Sequence, residues 1–350
     1  MSLTDSDLSN IDLQRLYLVY DEWPKYFKDA ANITCNLDHG PDFYESVILC
    51  GMGGSATSCD ILYEVLHQFG TVPCSVIRGQ NIPSTVNSHS LVIVNSVSGN
   101  TRETISSLEE ALARNAEVIS ISSGGILKEQ AMIKGSKHIT IPNLSLPRAS
   151  LPYLLMPGLR LIDPLLRHSV KEEISVIHDN LSRIFNEISV TVPHESNVAK
   201  KIATFLDYSI AFCFTSPYLV SVGTRFKNSL NENAKVHCLK DSILEASHNE
   251  IVPFTFNDTN SPHKVLLLRW QEDSPAVAER FDKVKAFFKE IGQPVMEIKI
   301  QEKSMINAIV SSVYILDYAT IYMAVRRRLD PSPTPAIDIL KKNVMSVLRF

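Results

Sequence analysis

Ser96, Ser98 and Thr101 place three hydroxyl groups in one short stretch, Asn95-Ser96-Val97-Ser98-Gly99-Asn100-Thr101. The β-branched run Leu91-Val92-Ile93-Val94 precedes them and reads as a buried parallel strand. A helical pattern opens behind them at Glu103-Thr104-Ile105. Strand, hydroxyl-rich turn and helix start together make an anion cradle. The first N–H groups of the helix lack intrahelical partners, and its dipole adds roughly half a positive charge at that end. Gly99 lets the backbone bend close to a ligand. An ordinary strand–helix turn with Ser and Thr caps fits the same residues, although three hydroxyls are more than capping needs.

A second turn of the same plan lies earlier in the chain. The strand Ser46-Val47-Ile48-Leu49-Cys50 runs into Gly51-Met52-Gly53-Gly54-Ser55, and a helical pattern follows through Ile61, Leu62, Val65 and Leu66. The turn lacks the lysine of a P-loop and the spacing of a dinucleotide fingerprint. Its glycines still allow backbone amides to approach a ligand.

The densest polar constellation is Thr224 to Glu250, which holds Asn228, Asn231, Glu232, Asn233, Lys235 and His237. For Lys227 and Lys235 a solvated helix face is the plainer reading. Glu232 stands between two asparagines at a helix C-terminal end, where the dipole disfavours a carboxylate, as suits a general base. His248-Asn249-Glu250 follows in a loop, although a lone histidine is more often structural than catalytic. A phosphate cradle, a carboxylate and an imidazole, with no metal cluster and no cofactor motif, fit cofactor-free proton transfer on a phosphorylated metabolite.

The elements that must position these groups alternate between strand and helix. Further strands are expected at Cys74 to Ile77, Val118 to Ile121 and His138 to Ile141, with a helix through Leu108 and Leu112. Such alternation implies a parallel, doubly wound sheet whose ligands sit at the carboxyl ends of its strands. A second alternation begins near Tyr208. It comprises a strand over Tyr208 to Phe214, a helix over Ser221 to Ala234, strands near Val236, at Lys264 to Leu268 and at Val295 to Ile300, and a helix at Pro275 to Glu290. A helix from Ser304 to Arg328 reads as amphipathic through Ile309, Val313, Leu316 and Ile321.

Around these lie an introductory helix over Asp12 to Ala31 with Leu13, Leu16 and Val19 on one face, and a Pro-kinked apolar segment over Leu151 to His168. Lys171 to Ile188 reads as a connecting helix, and Ala336 to Leu348 as a closing helix after an extended Pro-rich tail. The fold class is therefore α/β, with two doubly wound parallel-sheet subdomains, a helical connection and a C-terminal helix. The divisions fall at residues 1–45, 46–143, 144–190, 191–328 and 329–350.

Bulk properties narrow the partners. With 45% apolar and 21% charged residues, the 350-residue chain has the composition of a globular protein long enough for two domains. Its net charge of -4 and pI near 6.2 argue against a nucleic-acid or membrane-surface partner. The start MSLTDSDLSN is too acidic for a signal peptide. The apolar stretch Phe205 to Val222, read as the longest, is broken by Asp207 and Pro217 and is too poor for a membrane span. Cys35, Cys50, Cys59, Cys74, Cys213 and Cys238 are scattered and read as reduced core residues of a cytoplasmic protein.

Six blocks now carry a resemblance. GMGGS at Gly51 to Ser55, SxSGNTxET at Ser96 to Thr104, PRAxLPY at Pro147 to Tyr153, KNxLNENAKVH at Lys227 to His237, EAxHNEI at Glu245 to Ile251 and TPxIDxLK at Thr334 to Lys341 run in one order across most of the chain. Together they resemble the bifunctional phosphoglucose/phosphomannose isomerases, two-domain sugar-isomerase (SIS) proteins of archaea and some bacteria. The resemblance implies aldose–ketose isomerisation of glucose 6-phosphate and mannose 6-phosphate to fructose 6-phosphate through a cis-enediol, without a cofactor.

It further implies that Gly53, Gly54, Ser55, Ser96, Ser98 and Thr101 hold the sugar phosphate and its neighbouring hydroxyls. Arg148 would steady the enediolate, Glu232 would shuttle the proton between C1 and C2, and Lys341 would contact the ring-opening end. His248 would act in ring opening from the neighbouring subunit, which implies a homodimer. Thr334 would leave room for either C2 epimer. Without the motifs, Arg148 reads as a surface ion-pair residue and Lys341 as a solvated helix lysine.

Departures from the family pattern are small. Ala56 replaces a common glycine, Val97 stands where an aromatic is frequent, Ser150 replaces alanine and Ser229 replaces glutamate. Ala56 and Val97 are expected to line the cradle and so to bear on substrate range. Two other readings compete. A glucosamine-6-phosphate synthase isomerase half would need an amidotransferase partner. A sugar-phosphate sensor would carry a basic helix-turn-helix, for which the acidic segment before Ser46 is too short.

Overall fold

The computed structural model describes residues 3–144, 146–256, 263–337 and 339–340. The chain opens with three short helices, α1 (Asp5–Ile11), α2 (Leu16–Asp21) and α3 (Trp23–Ala30), in place of the single helix expected over Asp12 to Ala31. Arg15 adopts a left-handed φ of 56°, and the buried Asp12 carboxylate accepts the Tyr17 amide at 2.9 Å, so the chain restarts its winding at Leu16. The restart leaves Leu13 72% exposed while Leu16 is buried, and the expected shared face does not form.

Five parallel strands build the first sheet: β1 (Ser46–Gly51), β2 (Cys74–Ile77), β3 (Ser90–Asn95), β4 (Glu117–Ser122) and β5 (Lys137–Thr140), in the spatial order β2-β1-β3-β4-β5. The centre strand β3 is buried along its whole length, as an unbroken apolar run requires. Helices α4 (Gly53–Phe69), α5 (Arg102–Ala113) and α6 (Gly125–Lys134) connect the strands. The sequence reading lacked α6, whose buried side chains are Leu127 and Ala131, too thin a stripe to show periodicity. The strand order reverses between β1 and β3, which pair in register as far as Gly51 and Asn95. The two candidate turns therefore emerge side by side at the switch point of the sheet, where ligands settle on such folds.

Residues after β5 form a helical layer. Helix α7 (Leu151–Ile162) contains Pro157 and gives way to a 3-10 turn over Asp163–Leu165 that contains Pro164. A side chain at Gly158 would come within 2.6 Å of Leu62 Cδ1, so α7 packs its backbone directly on α4. The connecting helix over Lys171 to Ile188 is two helices, α8 (Lys171–Ser175) and α9 (Ile177–Ile188), parted by Val176. Helix α10 (Val198–Leu206) was also unforeseen; Asn197 caps it by accepting the Lys200 amide at 3.0 Å.

The second parallel sheet comprises β6 (Ile210–Thr215), β7 (Cys238–Ser242), β8 (His263–Trp270) and β9 (Val295–Ile300), ordered β7-β6-β8-β9. Its helices are α11 (Val220–Ser229), α12 (Ile243–Ala246), α13 (Pro275–Glu290) and α14 (Met305–Arg326). β6 begins two residues later than expected because Tyr208 has a φ of 54°. β7 begins at Cys238, not near Val236, because the Val236 amide turns back to the Leu230 carbonyl at 3.1 Å.

Helix α14 is not amphipathic. It is buried on nearly every side, and Asp317 is its one charged residue between Met305 and Val325. A helix apolar all round belongs in a core. By length and composition α14, not the Phe205 to Val222 stretch, comes nearest to a membrane span, with a mean hydropathy of 1.5, yet 94% of that window is buried inside the protein. It packs on α9, α10 and α11 and forms the common core of the two sheets. A helix starts again at Pro335. Most of the closing helix expected over Ala336 to Leu348, Lys341 included, lies outside the described residues.

Candidate active site

The two turns at the switch point are stitched into one unit. The Val97 N–H donates to Ser55 Oγ at 3.2 Å. Within the second turn, the Gly99 N–H donates to Ser96 Oγ at 3.2 Å, Ser96 Oγ donates to Thr101 Oγ1 at 3.1 Å, and the Asn100 N–H donates to Ser98 Oγ at 3.2 Å. Backbone and neighbours thus use Ser55, Ser98 and Thr101 as acceptors, and their hydroxyl protons stay available for a ligand. The amides of Gly53 and Gly54, at the start of α4, have no carbonyl acceptor among the described residues.

Gly99 is dictated by space as well as by its φ of 68°, since a β-carbon there would fall 1.8 Å from the Gly124 carbonyl. Helix α6 braces the cradle from behind: the Leu127 N–H donates to the Gly99 carbonyl at 2.9 Å and the Ile126 N–H to Asn100 Oδ1 at 3.1 Å. Val97, expected to line the cradle, turns its side chain into the larger apolar core, and Ala56 is likewise buried. The Val97 side chain therefore packs away from a ligand in the cradle, contrary to the expectation.

Arg148 adjoins this unit. It lies in the 3-10 turn Pro147–Ser150, and its Cα stands 3.4 Å from where a side chain on Gly54 would begin. Its Nη1 donates to Glu232 Oε2 at 3.1 Å, and its Nη2 donates to the carbonyls of Pro331 at 3.0 Å and Ser332 at 2.7 Å. The Arg148 side chain is 10% exposed and that of Glu232 28%, so a fixed guanidinium faces a carboxylate with an open side. This is not the surface ion pair that Arg148 suggests when read alone.

Glu232 comes from the far end of α11, where the helix widens into a π turn over Leu230–Ala234 and stops at Lys235 in the left-handed region. Such turns re-aim a side chain without breaking the helix. The carboxylate is at a helix C-terminus, as expected, and Arg148 opposes the unfavourable dipole there. Because α11 runs back from the carboxyl edge of β6, Glu232 reaches the site from the opposite edge of the second sheet.

Beside Glu232 opens a cavity of about 500 Å³, lined among others by Asn231, Lys235, His237, Thr334 and Ile337. That volume lies in the range of small-ligand sites. Thr334 thus shares a cavity with Glu232 although they are far apart in sequence. The Lys235 ammonium donates to the carbonyls of Glu232 and of Pro331, the latter at 3.1 Å. Partial desolvation, and then the nearby Arg148 charge, lower its pKa from the ordinary lysine value. Among the described residues no group of three or more His, Cys, Asp or Glu side chains is arranged to hold a metal ion. Chemically, the arrangement offers amides and hydroxyls suited to an anion, a carboxylate able to move a proton, and a guanidinium able to partner negative charge.

His248 does not join this group within one chain. It is exposed in the turn after α12, and its amide donates to the Glu245 carbonyl at 2.9 Å. Three residues that the sequence reading missed lie beneath the site. The buried Arg225 donates through Nε to Asp317 Oδ2 at 3.1 Å and through Nη2 to Asp317 Oδ2 at 2.8 Å, and Tyr20 Oη donates to Asp317 Oδ2 at 2.9 Å. Burial opposes the charge of Arg225, but Asp317 offsets it and holds the guanidinium protonated. The available signal was Asp317 itself, a lone carboxylate in an apolar helix, which demands a buried partner. Ser229, one of the departures, donates to Asp317 Oδ1 at 2.6 Å.

Known proteins match this architecture in both halves. A family model for the SIS domain matches residues 44–146, and one for the bacterial phospho-glucose isomerase C-terminal SIS domain matches residues 195–344. A bifunctional phosphoglucose/phosphomannose isomerase of Caldicellulosiruptor bescii is 31% identical over 347 residues, covering 95% of this chain and 99% of that protein. The chain belongs to the bifunctional phosphoglucose/phosphomannose isomerase family. The Thermoplasma volcanium protein of the same name is 29% identical over 301 residues, covering 86% of this chain and 92% of its own length. Among solved structures, a hypothetical protein of Thermus thermophilus superposes with a TM-score of 0.71 at 16% identity, covering 99% of this chain and 91% of that one, a likeness of fold. This family member is a sugar-phosphate isomerase.

Proposed function

We propose that this isomerase interconverts glucose 6-phosphate, and mannose 6-phosphate, with fructose 6-phosphate through a cis-enediol, without a cofactor. The contact of Arg148 with Glu232 beside Gly54 carries the reading, because it sets a base and an oxyanion partner next to an anion cradle. Phosphate rests on Gly53, Gly54, Ser55, Ser96, Ser98 and Thr101. Glu232 takes the C2 proton of the open-chain aldose and returns it at C1, the O2 hydroxyl proton passes to O1, and Arg148 steadies the enediolate oxygen. The enediol is planar at C2, so both epimers lead to the same ketose, and Thr334 leaves space for either.

Lys341 and His248 serve ring opening in this proposal, with His248 supplied by the partner of a homodimer. The exposed apolar side chains of Leu244, Val252 and Phe256 flank His248 and support an interface there. We further propose residues 46–143 and 191–328 as the two catalytic units, joined through residues 144–190 and flanked by residues 1–45 and 329–350, and a cytoplasmic location.

A coupled assay without added metal tests this reading. Glucose 6-phosphate and mannose 6-phosphate are offered separately and fructose 6-phosphate is detected. Turnover of both supports the dual isomerase. Turnover of glucose 6-phosphate alone removes the epimer claim, and binding without turnover points to a sensor.

A further inference from the structure

Arg225 lies on α11, about two helical turns before Glu232 in the π turn that follows, and only 2% of it is exposed. Asp317, Tyr20 and Ser229 hold each other and its guanidinium in one orientation, with Nη2 donating to Tyr20 Oη at 3.0 Å. The same Nη2 donates to the backbone carbonyl of Arg148 at 2.7 Å. The other arm, Nη1, lies 3.8 Å from where a side chain on Gly54 would begin and has no protein acceptor among the described residues. One residue further, Trp23 Nε1 donates to the Ala149 carbonyl at 3.0 Å. The turn that carries Arg148 is thus pinned at two successive carbonyls, by side chains from α11 and α3.

We propose that Arg225 is a positioning residue for the isomerisation, setting the spacing between the cradle at Gly54 and the Arg148–Glu232 pair. The proposal rests on the isomerase reading above. Helix α11 carries Arg225 and runs on into the π turn that bears Glu232, so a grip on the Arg148 carbonyl ties the turn bearing the guanidinium to the segment bearing the base. A buried ion pair that served stability alone would not need this third contact, since apolar side chains replace such pairs at little cost. A planar fork is needed because one group must reach Asp317 and the Arg148 carbonyl in fixed directions, which an ammonium cannot do.

Arg225→Lys keeps the charge and removes the fork. The measurements are the melting curve, kcat and KM for glucose 6-phosphate, inorganic phosphate binding, and the NMR signal of the Arg148 Nε–H, a buried group without a protein partner. A folded variant should lose roughly 10²-fold in kcat, as misplacement of about 1 Å does. KM and phosphate binding should hold within about threefold, and the Arg148 signal should broaden. An unchanged kcat together with an unmoved Arg148 signal would overturn the proposal. Where Arg225→Lys does not fold, the pair Arg225→Met and Asp317→Leu removes the charges together and is read the same way. Absence of turnover in the wild type would sink the isomerase reading instead. The Arg148 signal then decides the positioning link by itself, unmoved against it and broadened for it.

Discussion

Arg148 and Glu232 stand 84 residues apart in sequence and meet at 3.1 Å, one on the turn after the first sheet and the other at the end of α11. The contact joins the two halves of the molecule beside Gly54 of the cradle. Neither half holds both the cradle and the carboxylate, so the proposed chemistry depends on how the halves pack.

Glu232→Gln keeps the hydrogen bond from Arg148 and removes the base. Turnover of both hexose phosphates should fall by about 10²–10⁴-fold, with inorganic phosphate still bound. A steady-state assay beside an NMR phosphate titration checks this. Activity within a few-fold of the wild type would remove Glu232 from its role.

Thr334 shares the cavity with Glu232, so its size should bear on the C2 epimers. Thr334→Leu should lower kcat/KM for mannose 6-phosphate relative to glucose 6-phosphate by roughly tenfold, the order expected of one or two added methylenes in a pocket. Equal losses for both substrates would mean that Thr334 does not discriminate.

His248 is exposed in the turn after α12 and makes no hydrogen bond or ion pair with Glu232. If it acts across a dimer, the inactive variants Glu232→Gln and His248→Asn should restore one intact site per mixed dimer. Remixing equal amounts should recover about a quarter of wild-type activity by random pairing of a twofold-symmetric dimer. No recovery after verified subunit exchange would argue against a shared site.

Glu64 on α4 accepts the Ser221 N–H and Oγ–H at the start of α11, both at 2.5 Å, and so ties the two halves together on another face. Burial, reinforced by Asp60 and opposed by the Ser221 bonds, pushes its carboxyl up to about 8 from an ordinary 4.5. The folded protein therefore keeps a proton that the unfolded chain has lost between those values. Its contribution to stability is full below pH 4.5 and declines as pH rises to about 8. The decline should be on the order of 5 kcal/mol. Denaturation curves across this range should flatten in Glu64→Gln, and an equal slope in both proteins would contradict the assignment.

Much of the fold is legible in the sequence. β2, α13 and β9 lie where the residues placed them, because β-branched runs and capped apolar periods depend on local chemistry. The strand–turn–helix character of both cradle turns was legible for the same reason. α6 is not, since its buried stripe is only Leu127 and Ala131, nor is α10, whose 9 residues are too few for a period to stand out; α14 reads as amphipathic although its apolar residues surround it on all sides. Adjacency in sequence suggests Val97 at the ligand but does not say which way its side chain turns.

The sequence by itself determined the two alternating α/β halves, the glycine and hydroxyl turns, and the six motifs that mark the family. Those features rest on interactions between near neighbours: helix starts, caps, and the alternation of buried strands. Only the tertiary structure decided that Arg148 faces Glu232, that Thr334 lies on the same cavity, and that Arg225 and Asp317 pair beneath them. Such contacts cross tens to hundreds of residues. They form because a buried charge must find its counter-charge wherever packing delivers one, and no local pattern records where that is.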